Sequence, residues 1–191
     1  MFDRGGLPAL PADCWRQIFG NDCPVAVEIG PGRGEFLLAS AQATPARNFY
    51  AIERSAARTR AVAAKIARNG IANALVLWGD AGCIIDLLPE ACVAAFHIQF
   101  PDPWWKRRHH RRRLWTPHFV AALCRTLVPD GTVEFMTDVA DYFAIAQTCL
   151  DGEAGLERLT ISASADVQTS FARKAQRRGA LIARSVHRRR P

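Results

Sequence analysis

The 191 residues contain no run approaching the roughly 20 consecutive apolar residues that span a bilayer. The opening Met1-Phe2-Asp3-Arg4 has neither the basic start nor the apolar core of a secretory leader. Membrane and secreted classes are therefore not expected, and a cytoplasmic location is. None of the six cysteines (Cys14, Cys23, Cys83, Cys92, Cys124 and Cys149) forms a CxxC pair, and the chain is too long and Cys-poor for a disulfide framework. They read as buried thiols, and no metal site is expected.

Acidic residues are missing from two segments. Residues 106 to 113 read KRRHHRRR, and 173 to 190 hold eight further Lys and Arg. Together these segments carry +14 against a net +7 for the chain, so the remainder sums to −7. Concentrated cations on an acidic body point to a polyanionic partner such as nucleic acid.

What is present is an alternation of short apolar runs and helical stretches. Strands are expected at 25–29, 48–52, 74–78, 93–100, 132–136, 156–162 and 181–186. Helices are expected at 35–43, 56–68, 81–88, from Thr116-Pro117, and at 141–150. Ser55 and Thr116 precede their helices as caps, and Pro117 suits a first helical position. Repeated strand–helix units predict an α/β protein with a mostly parallel central sheet and helices on both faces. Residues 1–23 read as a peripheral segment, 24–187 as one domain, and 188–191 as a basic tail.

Ligands in such sheets sit beyond the carboxyl ends of the strands. Four motifs fall there. Glu28-Ile-Gly30-Pro-Gly32-Arg-Gly34 follows the first strand; its glycines permit tight turning and close approach, and a carboxylate at Glu28 disfavours phosphate and suits a cation. Glu53 ends the second strand, about twenty residues on, where an acid grips a ribose diol in several cofactor classes, nicotinamide enzymes included. Gly79-Asp80-Ala81 ends the third, placing an acid to receive an adenine amine or to cap a helix. Phe100-Pro-Asp102-Pro-Trp104-Trp105 ends the fourth and runs into the first basic segment: an acid held between two prolines, aromatics suited to stacking, cations suited to phosphates.

On these residues the chain resembles the bacterial tRNA (guanine-N7)-methyltransferase family. The matching segments are EIGPGRGEFL (28–37), AIE (51–53), GDA (79–81), FPDPWWKRRHHRRRL (100–114), TDVADY (137–142) and TSF (169–171), within a resemblance covering about residues 24 to 186. It implies a Rossmann-like S-adenosylmethionine-dependent methyltransferase fold and methyl transfer to N7 of a guanine in the tRNA variable loop. Glu28, Glu53, Asp80 and Asp102 match its cofactor-contacting acids, and Gly30, Gly32, Gly34 and Ala81 share their segments. Lys106, Asp138 and Thr169 match substrate-binding positions, with His109, Arg112, Arg113 and Phe171 in the same motifs. Asp102 is also the implied catalytic residue. The implied partner is tRNA, with a monomer and a homodimer both open. Trp105 stands where the family usually has Pro, and Ala172 where it has a glutamate that contacts the target nucleotide. The alternative is an RNA-binding relative, non-catalytic or of altered specificity, that keeps S-adenosylmethionine binding.

Overall fold

The computed structural model describes residues 9–104, 113–160 and 177–191. Its elements run α1 (Cys14–Phe19), β1 (Val25–Ile29), α2 (Glu35–Ala43), β2 (Asn48–Glu53), α3 (Ala56–Arg68), β3 (Ala74–Trp78), α4 (Ala81–Leu87), β4 (Val93–Gln99), α5 (Pro117–Thr126), β5 (Leu127–Thr137), α6 (Ala140–Asp151), β6 (Leu156–Arg158) and β7 (Ala183–Arg189). The sheet order is β3-β2-β1-β4-β5-β7-β6; β3 to β5 are parallel, and β7 is antiparallel to both its neighbours.

The order follows from burial. Every residue of β1 is buried, as its near-continuous apolar run requires of a central parallel strand. Val27, Phe96 and Phe135 face one layer of core with α1, α4, α5 and α6; Ala26, Phe49 and Ala51 face the other, closed by Leu37 of α2 and by Val62 and Ile66 of α3. Caps fix where the helices start. The Ser55 hydroxyl accepts from the Arg58 amide at 3.4 Å, and Thr116 Oγ1 from the Phe119 amide at 3.2 Å. The Arg125 guanidinium donates to the carbonyls of Leu88 (2.8 Å), Ile85 (3.2 Å) and Asp86 (3.3 Å), closing the end of α4.

Three segments depart from the sequence expectation. The segment expected to be peripheral contains α1, whose Trp15 is buried, donates from Nε1 to the Cys92 carbonyl at 2.8 Å and meets the Tyr50 ring edge-on at 5.1 Å. The fifth strand starts at Leu127, not Thr132. Between the pairs Val93↔Leu127 and Ala95↔Thr132 it bulges through Pro129-Asp130-Gly131, with Asp130 left-handed at φ +61°. The last strand carries on into the expected basic tail. Arg188 Nε donates to Glu157 Oε1 at 2.8 Å, and the Arg190 amide donates to the Gly155 carbonyl at 2.9 Å. Pairing with β6 and the acid on it orders cations that composition alone assigns to solvent.

The six cysteines are unbridged, Cys14 and Cys124 buried and the others half-buried; burial pushes the Cys92 thiol up to about 11. Among the described residues, no helix is long and apolar enough to cross a membrane, and no group of three or more His, Cys, Asp or Glu is placed to hold a metal.

Candidate cofactor and active site

The tips of β1, β2, β3 and β4 open into a cavity of about 670 Å³. Of the residues singled out from sequence, Gly30, Gly32, Glu53, Asp80, Ala81, Asp102 and Arg113 line it. Glu28, Gly34 and Asp138 do not. Lys106, His109, Arg112, Thr169 and Phe171 lie outside the described residues, as do Trp105 and Ala172.

The glycine loop is built by backbone geometry. Gly30 and Gly32 have φ of +73° and +57°, where a side chain is strained, and the Gly30 amide donates to the Ile52 carbonyl at 2.9 Å, tying the loop to β2. Gly34 serves packing. A Cβ there would stand 3.0 Å from Val62 Cγ1, so this glycine lets α2 start against α3. Lys65 Nζ braces the loop by donating to the Arg33 carbonyl at 2.7 Å.

Glu53 is 4% exposed; its Oε1 accepts from the Ser55 amide at 2.8 Å, which fixes the carboxylate at the strand tip. Asp80 has a divided role. Its Oδ1 caps α4, accepting from the amides of Gly82 (3.1 Å) and Cys83 (3.4 Å), while Oδ2 stands 3.7 Å from Arg54 Nη1. Glu28 lies one layer below the cavity wall, inside β1, on the sheet face that α2 and α3 cover. Burial chiefly, then the charge on Glu53, pushes its carboxyl up to about 8 against the pull of the Leu37 amide. Its Oε2 is buried with no hydrogen-bond partner among the described residues.

The loop after β4 is the most constrained part of the wall. Phe100 and Trp104 both adopt left-handed backbone, at φ +49° and +48°, with Pro101, the exposed Asp102 and Pro103 between them. Non-glycine residues in this region carry strain of about 1–3 kcal/mol each, a condition that concentrates at functional sites. The Phe100 amide donates to the Met136 carbonyl at 2.8 Å, anchoring the loop to β5. Tyr142, in α6, is buried near both Asp102 and Arg113; burial pushes its hydroxyl up to about 12. Asp138 is exposed beyond β5, away from the wall.

Sequence reasoning missed Gln99, the last residue of β4. It is 8% exposed and lines the cavity, and neither Oε1 nor Nε2 has a hydrogen-bond partner among the described residues. A polar residue closing the apolar run Val-Ala-Ala-Phe-His-Ile was the available signal. Also missed were Arg54, Arg58 and His118 on the wall; His118 Nε2 pairs with Asp86 at 3.1 Å.

These features fit a cation-bearing adenosine cofactor. A ribose diol suits Glu53, and the orphaned amide of Gln99 offers both a donor and an acceptor beside the glycine loop. With this sheet order, they define a Rossmann-like S-adenosylmethionine-dependent methyltransferase. Solved structures agree on the fold. The 16S rRNA methyltransferase KamB aligns with a TM-score of 0.65 at 17% identity, covering 98% of this chain and 97% of its own. The aminoglycoside resistance methyltransferase NpmB1 aligns at 0.62 and 16%, covering 94% of each chain.

Residues 22–185 match the family model described as "Putative methyltransferase". The tRNA (guanine-N(7)-)-methyltransferase of Acidithiobacillus ferrooxidans is 35% identical over 97% of this chain and 86% of its own length. Those of Verminephrobacter eiseniae and Rhodopirellula baltica are 42% and 33% identical, over 65% and 72% of this chain; it spans only 46% and 58% of their lengths. The chain belongs to the tRNA (guanine-N7)-methyltransferase family, whose methyl donor is S-adenosyl-L-methionine.

Proposed function

We propose that the protein transfers a methyl group from S-adenosyl-L-methionine to N7 of guanine in tRNA, at position 46 of the variable loop, in the cytoplasm. The observation that carries this reading is one cavity at the tips of β1 to β4 that gathers Glu53, Asp80 and Asp102 beside the glycine loop.

Bound S-adenosylmethionine supplies an electrophilic methyl group. The chain's own residues hold and orient. Glu53 would accept hydrogen bonds from the ribose diol, and the Asp80 oxygen facing Arg54 would accept from the adenine amine. Gln99, at the end of β4 beside the glycine loop, would hold the cofactor's amino-acid end, its amide offering both a donor and an acceptor. Guanine N7 carries an in-plane lone pair that is free at neutral pH, so no residue need remove a proton before transfer. Alignment is then the main task, and positioning alone contributes up to about 7–11 kcal/mol. Positive charge moves onto the purine during transfer, and in this reading the Asp102 carboxylate, on the cavity wall, stabilises it. Arg113 on the wall takes tRNA phosphate, in continuation of the basic segment that contains Lys106, His109 and Arg112. Asp138, Thr169 and Phe171 complete the substrate contacts in this reading.

Methyl transfer from labelled S-adenosylmethionine to unmodified bulk tRNA, with mapping of the modified base, tests it. Label at guanine N7 is the expected result. Label elsewhere, or none from a protein that binds both ligands, rejects it and favours the RNA-binding alternative that Ala172 suggests.

A further inference from the structure

The acidic remainder of the chain is not uniform. Five of its cations fall between Arg54 and Arg68, and no acid occurs from Arg54 to Gly79. Most other described cations are engaged. Arg16 pairs with Asp22, Arg158 with Asp151, Arg184 with Glu134 and Arg188 with Glu157, while Arg125 and Arg189 donate to backbone carbonyls. On α3 the pattern reverses. Arg58, Arg60 and Arg68 are exposed, and none has a carboxylate within 4.0 Å among the described residues; only Arg54, just before the helix, reaches one.

Two of these unpaired cations are also aligned, with Lys65, which is engaged at the Arg33 carbonyl, between them. At 3.6 residues per turn, Arg58, Lys65 and Arg68 fall within an arc of about 80° on one flank, a row about 15 Å long, and Arg60 lies about 120° from its centre. One end of the row is at the cavity, where Arg54 and Arg58 form part of the wall. Its middle meets the glycine loop, where Lys65 donates to the Arg33 carbonyl. Like charges held in a row repel one another, and phosphates relieve that repulsion while releasing counterions.

We propose that this flank of α3 is a phosphate-binding surface for the tRNA backbone, separate from the basic segment at 106–113. The inference rests on tRNA being the substrate. It enlarges the footprint from one basic segment to two cationic borders of the cavity.

The test is binding of unmodified tRNA across a salt series by the wild type, Lys65→Ala/Arg68→Ala and Arg60→Ala, with S-adenosylhomocysteine affinity measured in parallel. The double variant is expected to flatten the slope of log K against log salt by about 1.4–1.8, the value for two lost phosphate contacts. If the curves meet at 1 M salt, that is roughly a 25–60-fold loss at 0.1 M. Arg60→Ala is expected to stay within about twofold of wild type in tRNA binding, and Arg60→Ala and Arg68→Glu to bind S-adenosylhomocysteine as the wild type does. Arg68→Glu alone, remote from the glycine loop, must also weaken tRNA binding. A wild type that binds S-adenosylhomocysteine but not tRNA rejects the substrate reading and this surface with it. Wild-type tRNA binding with an unchanged slope in the double variant rejects the surface alone. Equal losses from Arg60→Ala, or lost S-adenosylhomocysteine binding in Arg68→Glu, also overturn it.

Discussion

Glu28 and Glu53, on the neighbouring strands β1 and β2, are each 4% exposed, and the charge on Glu53 adds to burial in holding the Glu28 carboxyl protonated up to about pH 8. The folded-state value lies above the unfolded one near 4.5. Between the two, the native chain keeps a proton that the unfolded chain has lost. This group's contribution to stability is therefore complete below about pH 4.5 and fades as pH rises towards 8. Glu28→Gln is expected to raise the melting temperature at pH 9 and to flatten its decline from pH 5. Each kcal/mol corresponds to about 2–4 °C in a chain of this size. Parallel melting curves for wild type and variant across that range would show Glu28 ionising normally.

Gln99→Leu is expected to have opposite effects with and without ligand. Removing an unpartnered buried amide stabilises the free protein, and losing its contacts weakens S-adenosylhomocysteine binding by about 1–3 kcal/mol. Calorimetry with 5′-methylthioadenosine, which lacks the amino-acid end, should show no change. Equal weakening of both ligands would place Gln99 against the adenosine instead.

Asp102→Asn and Asp102→Ala should fold normally, because the side chain is exposed. Turnover is expected to fall by about 10²-fold or more, the scale for removing one electrostatic stabiliser of a transition state. Single-turnover methylation at saturating tRNA measures it. Near-normal rates remove Asp102 from the chemistry.

Arg125→Ala leaves three carbonyls at the end of α4 without their donor. Destabilisation of about 1–3 kcal/mol is expected in denaturant unfolding. Cofactor affinity should hold, since Arg125 is not on the cavity wall.

The alternation from β1 to α6 was legible because its signals are local: short apolar runs, the caps Ser55 and Thr116, and Pro117 at a first helical position. α1 was not, because Trp15 finds its partner 77 residues away at Cys92. The extension of β7 through Arg189 likewise depends on Glu157, which no local pattern pairs with Arg188. In the site, the strand-tip acids Glu53, Asp80 and Asp102 were legible from spacing after apolar runs. Glu28, read from the same spacing, is buried inside β1 and does not line the cavity, a position set by strand alternation. The α3 row was hidden by summing charge over the whole chain, which lets distant acids cancel neighbouring cations.

Phe100 and Trp104 bracket a pentapeptide in which two further residues are prolines with ring-fixed φ, leaving Asp102 the single unit with ordinary backbone freedom. The disorder that a mobile loop surrenders when it grips a ligand has here been given up during folding, so the backbone that carries Asp102 is already in place. Rigidity of this kind belongs to the pentapeptide as a unit. Phe100→Gly would relax the left-handed turn and help the free protein, while returning to Asp102 the wandering that the flanking residues suppress. Thermal stability and turnover are thus set against each other at one position, and the loop's strain is the stability given up for a fixed carboxylate.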